Sequence, residues 1–370
     1  MQEKRMSEER EIVELTKTLI RFKTLSSRPD EIGRCADFIA GWLKQHGIDF
    51  QHTAHNGVPA IAALPRENRA RLLLMSHFDV VDAPDALFEP VEKAGKLYGR
   101  GSIDDKYAVA LSLVLLHHQI KQAAAAGADP SCLPLGILMT GDEEIGGFNG
   151  ARPSLARIDT DFCIALDGGA VDRMVVREKG IARFTLISRG RAAHGARPWL
   201  GQNAVDALIQ DYQKMRPFFD TPPDDAHWHR TLNLSIIQAG GSINQVPAEA
   251  TARFDVRYTE NDDMPALFEQ LRRTLAGELR LDLLEPVFEG GASPLRDLLL
   301  EKTPGTRLVA EHGASDARFL SETGTPGVVW GADGDMSQHS ENEHLNIASL
   351  RPLYRSLSAF CDALQADSSR

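Results

Sequence analysis

Seven side chains in this sequence are of kinds that hold metal ions or move protons, and they gather at the ends of apolar runs and in polar, glycine-bearing loops: His77, Asp79, Asp104, Glu143, Glu144, Asp167 and His339. His77 and Asp79 close the run Leu72-Leu73-Leu74-Met75-Ser76 in a His-x-Asp spacing. Imidazole nitrogen combined with carboxylate oxygen suits zinc, or cobalt or manganese, better than calcium or magnesium. Two histidines and three carboxylates are more than one tetrahedral zinc accepts. They divide between two ions if one carboxylate bridges the pair, and such a pair can activate a shared water and polarise a carbonyl.

Each residue also has a plainer reading. A carboxylate near a metal-bound histidine commonly accepts its second N–H, so Asp79 is read as orienting His77 in preference to ligating directly. Asp105 competes with Asp104 for the bridging position. Glu143-Glu144 would be an exposed acidic pair in most sequences. Here it follows an apolar run and precedes Gly146-Gly147, and neighbouring carboxylates can divide, one on metal and one shuttling a proton. His339 lies in a polar loop, where ligation and simple loop placement are both open.

Holding such groups together calls for strands that end at them. Residues 72–77, 135–140 and 162–166 read as buried strands, and they run into His77, Glu143-Glu144 and Asp167. Helical spacing covers 7–22, 31–45, 108–126 and 350–364, shorter strands are expected at 48–51 and 60–64, and a buried one at 325–331. This alternation predicts an α/β fold with a mostly parallel sheet. The pattern changes near Gly180, where strands at 182–188, 232–239 and 250–258 accompany helices at 203–214 and 263–275, and it reverts after Gly290-Gly291. Residues 1–180 and 290–370 are therefore read as a catalytic, metal-binding domain, and 181–289 as an inserted α+β domain with one exposed sheet face.

The length of 370 residues exceeds what one core usually accommodates, in keeping with two domains. A net charge of −11 with no basic run argues against a nucleic-acid or anionic-membrane partner. No apolar stretch approaches a bilayer span, and the charged start Met1-Gln2-Glu3-Lys4-Arg5 lacks a signal-peptide core. Cys35, Cys132, Cys163 and Cys361 form no CxxC pair, which excludes a thiolate zinc knuckle and indicates a reducing, cytoplasmic compartment.

Four segments occur in a shared order and spacing: Ser76-His77-Phe78-Asp79, Gly99-Arg100-Gly101-Ser102-Ile103-Asp104, Asp142-Glu143-Glu144-Ile145-Gly146 and His339-Ser340-Glu341-Asn342-Glu343. Nearly the whole chain thereby resembles the dinuclear zinc hydrolases that include carboxypeptidase G, aminoacylases, acetylornithine deacetylase and succinyl-diaminopimelate desuccinylase. The resemblance implies two zinc ions, with His77 and Asp167 on one, Glu144 and His339 on the other, and Asp104 bridging. It implies Glu143 as general base, Asp79 as the orienter of His77, and a cis peptide between Asp104 and Asp105. Arg191-Ala192-Ala193-His194-Gly195-Ala196-Arg197-Pro198, continued by Gly201-Gln202-Asn203-Ala204, resembles the family's lid signature. The insert then corresponds to a lid and dimerisation domain of a homodimer, from which His194 stabilises the oxyanion across the interface. Asn244-Gln245-Val246-Pro247 and Asp255-Val256-Arg257 stand where the lid grips a substrate carboxylate, and Gly313-Ala314-Ser315-Asp316-Ala317-Arg318-Phe319 resembles a desuccinylase segment. Asn244, Arg257 and Arg318 are accordingly candidate substrate contacts, although either arginine can equally be a surface or structural residue.

The activity implied is hydrolysis of an amide bond next to a carboxylate, in a dipeptide, at a C-terminal residue or in an N-acyl amino acid, through a zinc-activated bridging water and Glu143. Asp167 matches the peptidase members, since desuccinylases and deacetylases usually carry glutamate there, whereas residues 315–318 pull toward a desuccinylase or deacetylase acting on an N-acyl diamino acid. A dinuclear phosphoesterase and a non-catalytic binding protein are the rival classes. The lid signature and base glutamate speak against the first, and the intact ligand set against the second.

Overall fold

The computed structural model describes residues 7–220 and 227–368. Two compact units make up the chain, one of Met1–Arg177, Glu289–Ala310 and Ser315–Arg370, the other of Glu178–Phe288 with Glu311–Ala314. The sequence pattern places the insert at 181–289; in the structure residues 311–314, beyond it in the chain, belong to the same unit.

In the first unit four parallel strands lie side by side in the order Leu135–Thr140, Arg69–His77, Asp159–Ala165 and Gly327–Val329. Antiparallel strands flank them: Val58–Ala63 and then Gln51–His55 on one side, Arg173–Glu178 on the other. The sheet is thus mixed, with its parallel part at the centre. Leu72, Leu73 and Leu74 are fully buried, which is why this strand reads as a continuous apolar run instead of an alternation. Each such leucine contributes roughly 1.5–3 kcal/mol by leaving water. Helix Lys106–Ala125 connects the Arg69–His77 strand to its neighbour Leu135–Thr140, and residues 106–117 of it are all buried. The chain then passes to Asp159–Ala165 on the opposite side of Arg69–His77. At such a reversal of direction, at the carboxyl end of the central strand, sheets of this kind bind ligands.

Helices Glu8–Ile20, Pro29–Gln45 and Leu350–Ser368 also pack against this core. The first begins at Ser7, whose side chain accepts from the backbone N–H of Arg10. Two expectations shift. Residues 48–50 form no strand, because Ile48 is drawn into the core while the strand itself starts at Gln51. The predicted strand at 325–331 contracts to Gly327–Val329.

The second unit is an antiparallel sheet in the order Thr231–Ala239, Glu249–Tyr258, Gly180–Arg189 and Glu278–Glu285. Helices Ala204–Met215 and Met264–Thr274 bury Leu208 and Leu271 in one cluster with Phe184, Phe254 and Val256. The alternating residues Arg253, Asp255 and Arg257 lie on the other, more exposed face. Strand Glu278–Glu285 was not expected, although Leu279, Leu281 and Leu283 alternate with charged residues; in the structure a bulge interrupts its pairing between Leu281 and Leu283. Among the described residues no helix is long and apolar enough to cross a membrane.

Candidate metal centre

Because the four central strands are parallel, their carboxyl ends deliver side chains to one edge of the sheet. His77 closes the Arg69–His77 strand, Glu143 and Glu144 open the short helix after Leu135–Thr140, and Asp167 follows Asp159–Ala165 by two residues. Asp104 comes from the loop preceding helix Lys106–Ala125, and His339 from the loop after Gly327–Val329, where its φ is +61°. His77, Asp104 and Asp167 form one group and Asp104, Glu144 and His339 a second, with ligand atoms in each group within 4.8 Å of one another. His77 Nε2 lies 3.0 Å from Asp104 Oδ1 and 3.8 Å from Asp167 Oδ1. His339 Nε2 lies 3.0 Å from Asp104 Oδ2 and 3.2 Å from Glu144 Oε2. Asp104 faces the two rings with its two oxygens, as a bridging carboxylate must.

Asp105 has a different place. It joins Asp104 through a cis peptide, and its Oδ2 accepts the backbone N–H of His77 at 3.3 Å. Asp79 is buried behind the ring, 3.4 Å from His77 Nδ1 through its carboxylate and 3.1 Å through its carbonyl oxygen. The same carboxylate accepts the backbone N–H groups of Glu143 at 3.1 Å and Glu144 at 3.0 Å. One aspartate therefore sets both the imidazole and the turn carrying the glutamate pair.

The electrostatics favour positive charge at two points. Burial alone would hold the His77 ring neutral, but Asp104, Asp167 and Asp79 push its pKa well up. Asp104 and Glu144 raise His339 to about 10. Burial opposes ionisation of Asp104 too, yet His339 and His77 hold it below the usual carboxylate range. Burial raises Glu144 and Asp167. Glu144 Oε1 is buried without a hydrogen-bond partner, a costly state that a cation would relieve. A histidine nitrogen with two carboxylates at each point, one carboxylate shared, fits a pair of divalent ions of the zinc, cobalt or manganese kind. Glu143 belongs to neither group; burial and then Asp167 raise its carboxyl well above the usual value.

Residues 73–363 match peptidase family M20/M25/M40. The chain belongs to this family. A probable carboxypeptidase of Uncinocarpus reesii is 26% identical over 92% of this chain and 84% of its own. The M20 metallo-carboxypeptidase Sso-CP2 of Sulfolobus solfataricus shares the fold with a TM-score of 0.74 and 19% identity, over 96% of this chain and 99% of its own. So does Bacillus subtilis YXEP, a dinuclear metal binding peptidase of the M20 family, with a TM-score of 0.67 and 14% identity over 97% and 99% of the two chains.

The remaining candidates of this M20-family chain fall elsewhere. His194 and Asn244 meet in the second unit at a short antiparallel pairing of segments remote in sequence, where His194 pairs with Gln245 and Gly195 N–H donates to the Asn244 carbonyl at 2.7 Å. His194 is exposed, and its Nδ1 accepts the N–H of Ala196 at 3.1 Å. Arg257, in the same unit, donates from Nε to Asp255 Oδ1 at 2.8 Å. Arg318 lies in the first unit. It is buried, donating from Nη1 to the Ser315 carbonyl at 2.6 Å and from Nη2 to the Gly146 carbonyl at 2.7 Å. Two buried residues had been given no role, Arg100 and Glu343. They lie in the quoted motifs, but their mutual contact, across 243 positions of sequence, is not visible from spacing.

Proposed function

We propose that this M20-family chain hydrolyses an amide bond next to a carboxylate, in a dipeptide, at a C-terminal residue or in an N-acyl amino acid. The observation that carries the reading is the pair of ligand groups sharing Asp104, with Glu143 beside them and outside both. In this reading His77 and Asp167 hold one ion, Glu144 and His339 the other, and Asp104 both; zinc is preferred, with cobalt or manganese as alternatives. Bound ions would supply the positive field that acidifies a water and draws electrons from the scissile carbonyl. Glu143 takes the proton of the attacking water and returns it to the leaving nitrogen. Asp79 fixes the turn from which Glu143 projects. His194 donates to the oxyanion and Arg257 and Asn244 receive the substrate carboxylate, roles supported by the lid-signature resemblance.

The carboxypeptidase relatives support the peptidase side, as does aspartate at 167. The proposal includes a homodimer formed through the second unit. Supporting it, Thr231–Ala239 is an edge strand whose Ile236 and Ile237 are 44% and 54% exposed. Hydrolysis of a panel of N-acyl amino acids, dipeptides and phosphate esters, with zinc or cobalt added, tests the reading. Turnover confined to amides bearing a free carboxylate is expected; turnover of phosphate esters alone would replace the proposal with a phosphoesterase.

A further inference from the structure

Arg100 and Glu343 are 3% and 1% exposed and form an ion pair between Arg100 Nη1 and Glu343 Oε2. A buried ion pair is a poor device for stability alone, because desolvation opposes it and an apolar pair would serve as well. Its contacts point to a different use. The other carboxylate oxygen, Glu343 Oε1, accepts N–H groups from Gly101 at 2.8 Å, Ile103 at 3.3 Å and Asp104 at 3.4 Å. The second arm of Arg100, Nη2, reaches the carbonyl of His339 at 3.3 Å and that of Asp82 at 3.5 Å. The carbonyl of Glu343 accepts the N–H of Gly99 at 3.1 Å, closing the connection between the two loops.

From this geometry we infer that Arg100 and Glu343 are positioning residues that set Asp104 and His339 against each other and so determine affinity at the Asp104, Glu144, His339 group. The inference rests on the dinuclear reading of the site. The two ligands that belong to the other group alone need less of this support, since His77 ends a strand and Asp167 follows one closely. Glu343 is suited to the task because backbone N–H groups converging on one carboxylate oxygen fix a loop more narrowly than side-chain packing does. Arg100 is suited because its planar fork can hold a carboxylate and a carbonyl in one orientation, which a lysine ammonium cannot.

Stepwise zinc affinities, measured on the full chain by competition with a chromogenic chelator, test the inference. Glu343→Gln and Arg100→Lys should each weaken the equivalent held with His339 about 10- to 100-fold, the range for partners that orient ligands, and weaken the other, which shares only Asp104 with it, distinctly less. The double variant should be no weaker at that equivalent than the worse single one, because the pair acts as a unit. Thermal unfolding of the metal-free proteins separates positioning from folding. Wild-type affinities for both equivalents in both variants overturn the inference, as does parallel loss of both equivalents with a lowered metal-free Tm. A wild-type chain that takes up fewer than two equivalents overturns instead the dinuclear reading beneath it.

Discussion

Glu143 and Glu144 are adjacent and identical in type, and their contacts separate them. Glu144 Oε2 faces His339 at 3.2 Å and belongs to a ligand group, whereas Glu143 belongs to none and stands within the field of Asp167. Glu143→Ala should therefore lower kcat by about 10²–10⁴-fold or more, as for loss of a proton shuttle, and leave the metal content unchanged. Steady-state kinetics with elemental analysis of the same sample checks this; substantial residual turnover, or loss of an ion, removes Glu143 from the base role. Residue types and motif order made these candidates legible in the sequence. The division between Asp104 and Asp105 was legible only through the family resemblance, because in the residues themselves it depends on which carboxylate faces both rings and which accepts the His77 N–H. Arg100 and Glu343 escaped for a related reason, their roles consisting of hydrogen bonds to loops remote in sequence.

Between elements, the packing of helix Pro29–Gln45 on Lys106–Ala125 carries a consequence for acid stability. The His46 ring stacks on Trp42 with centroids 3.9 Å apart, and the edge of His117 meets His46 at 4.3 Å. His117 is 7% exposed and its Nδ1 has no hydrogen-bond partner. Burial first, then Lys121 and His118 on its own helix and His46 on the neighbouring one, lower its pKa from 6.5 to about 4. The unfolded chain thus binds a proton that the folded chain refuses between these values. The neutral ring's contribution is complete above pH 6.5 and is lost as pH falls toward about 4. His117→Leu should flatten the fall in Tm between pH 7 and pH 4.5 relative to wild type, measured by circular dichroism; parallel curves would assign the acid sensitivity elsewhere. Strands were legible here wherever an apolar run stopped at a polar pair, as at Met75-Ser76-His77. Glu278–Glu285 also carries a two-residue alternation at Leu279, Leu281 and Leu283, but it ends at no polar pair of that kind and was passed over.

At the scale of the molecule, the interruption of one α/β unit by an α+β unit was legible in the change of pattern near Gly180. The return of residues 311–314 to the second unit was not, because four residues carry no period of their own. The proposed homodimer makes a prediction that neither unit makes alone. If His194 acts on the active site of the partner subunit, a subunit with Glu143→Ala still lends an intact His194, and a subunit with His194→Ala still keeps an intact Glu143. Either variant by itself should be nearly inactive, as each lacks one group at every site. Subunits mixed in equal amounts and allowed to exchange should form mixed dimers as about half of the population, each with one complete site of two, restoring about a quarter of wild-type activity. Size-exclusion chromatography with light scattering establishes the dimer, and the activity of the mixture decides whether the site is shared. A dimer in which mixing restores nothing would show that His194 serves its own subunit or does not act in catalysis. A monomer with full activity would remove the shared site altogether, leaving Glu143 and the two ligand groups as a centre complete within one chain.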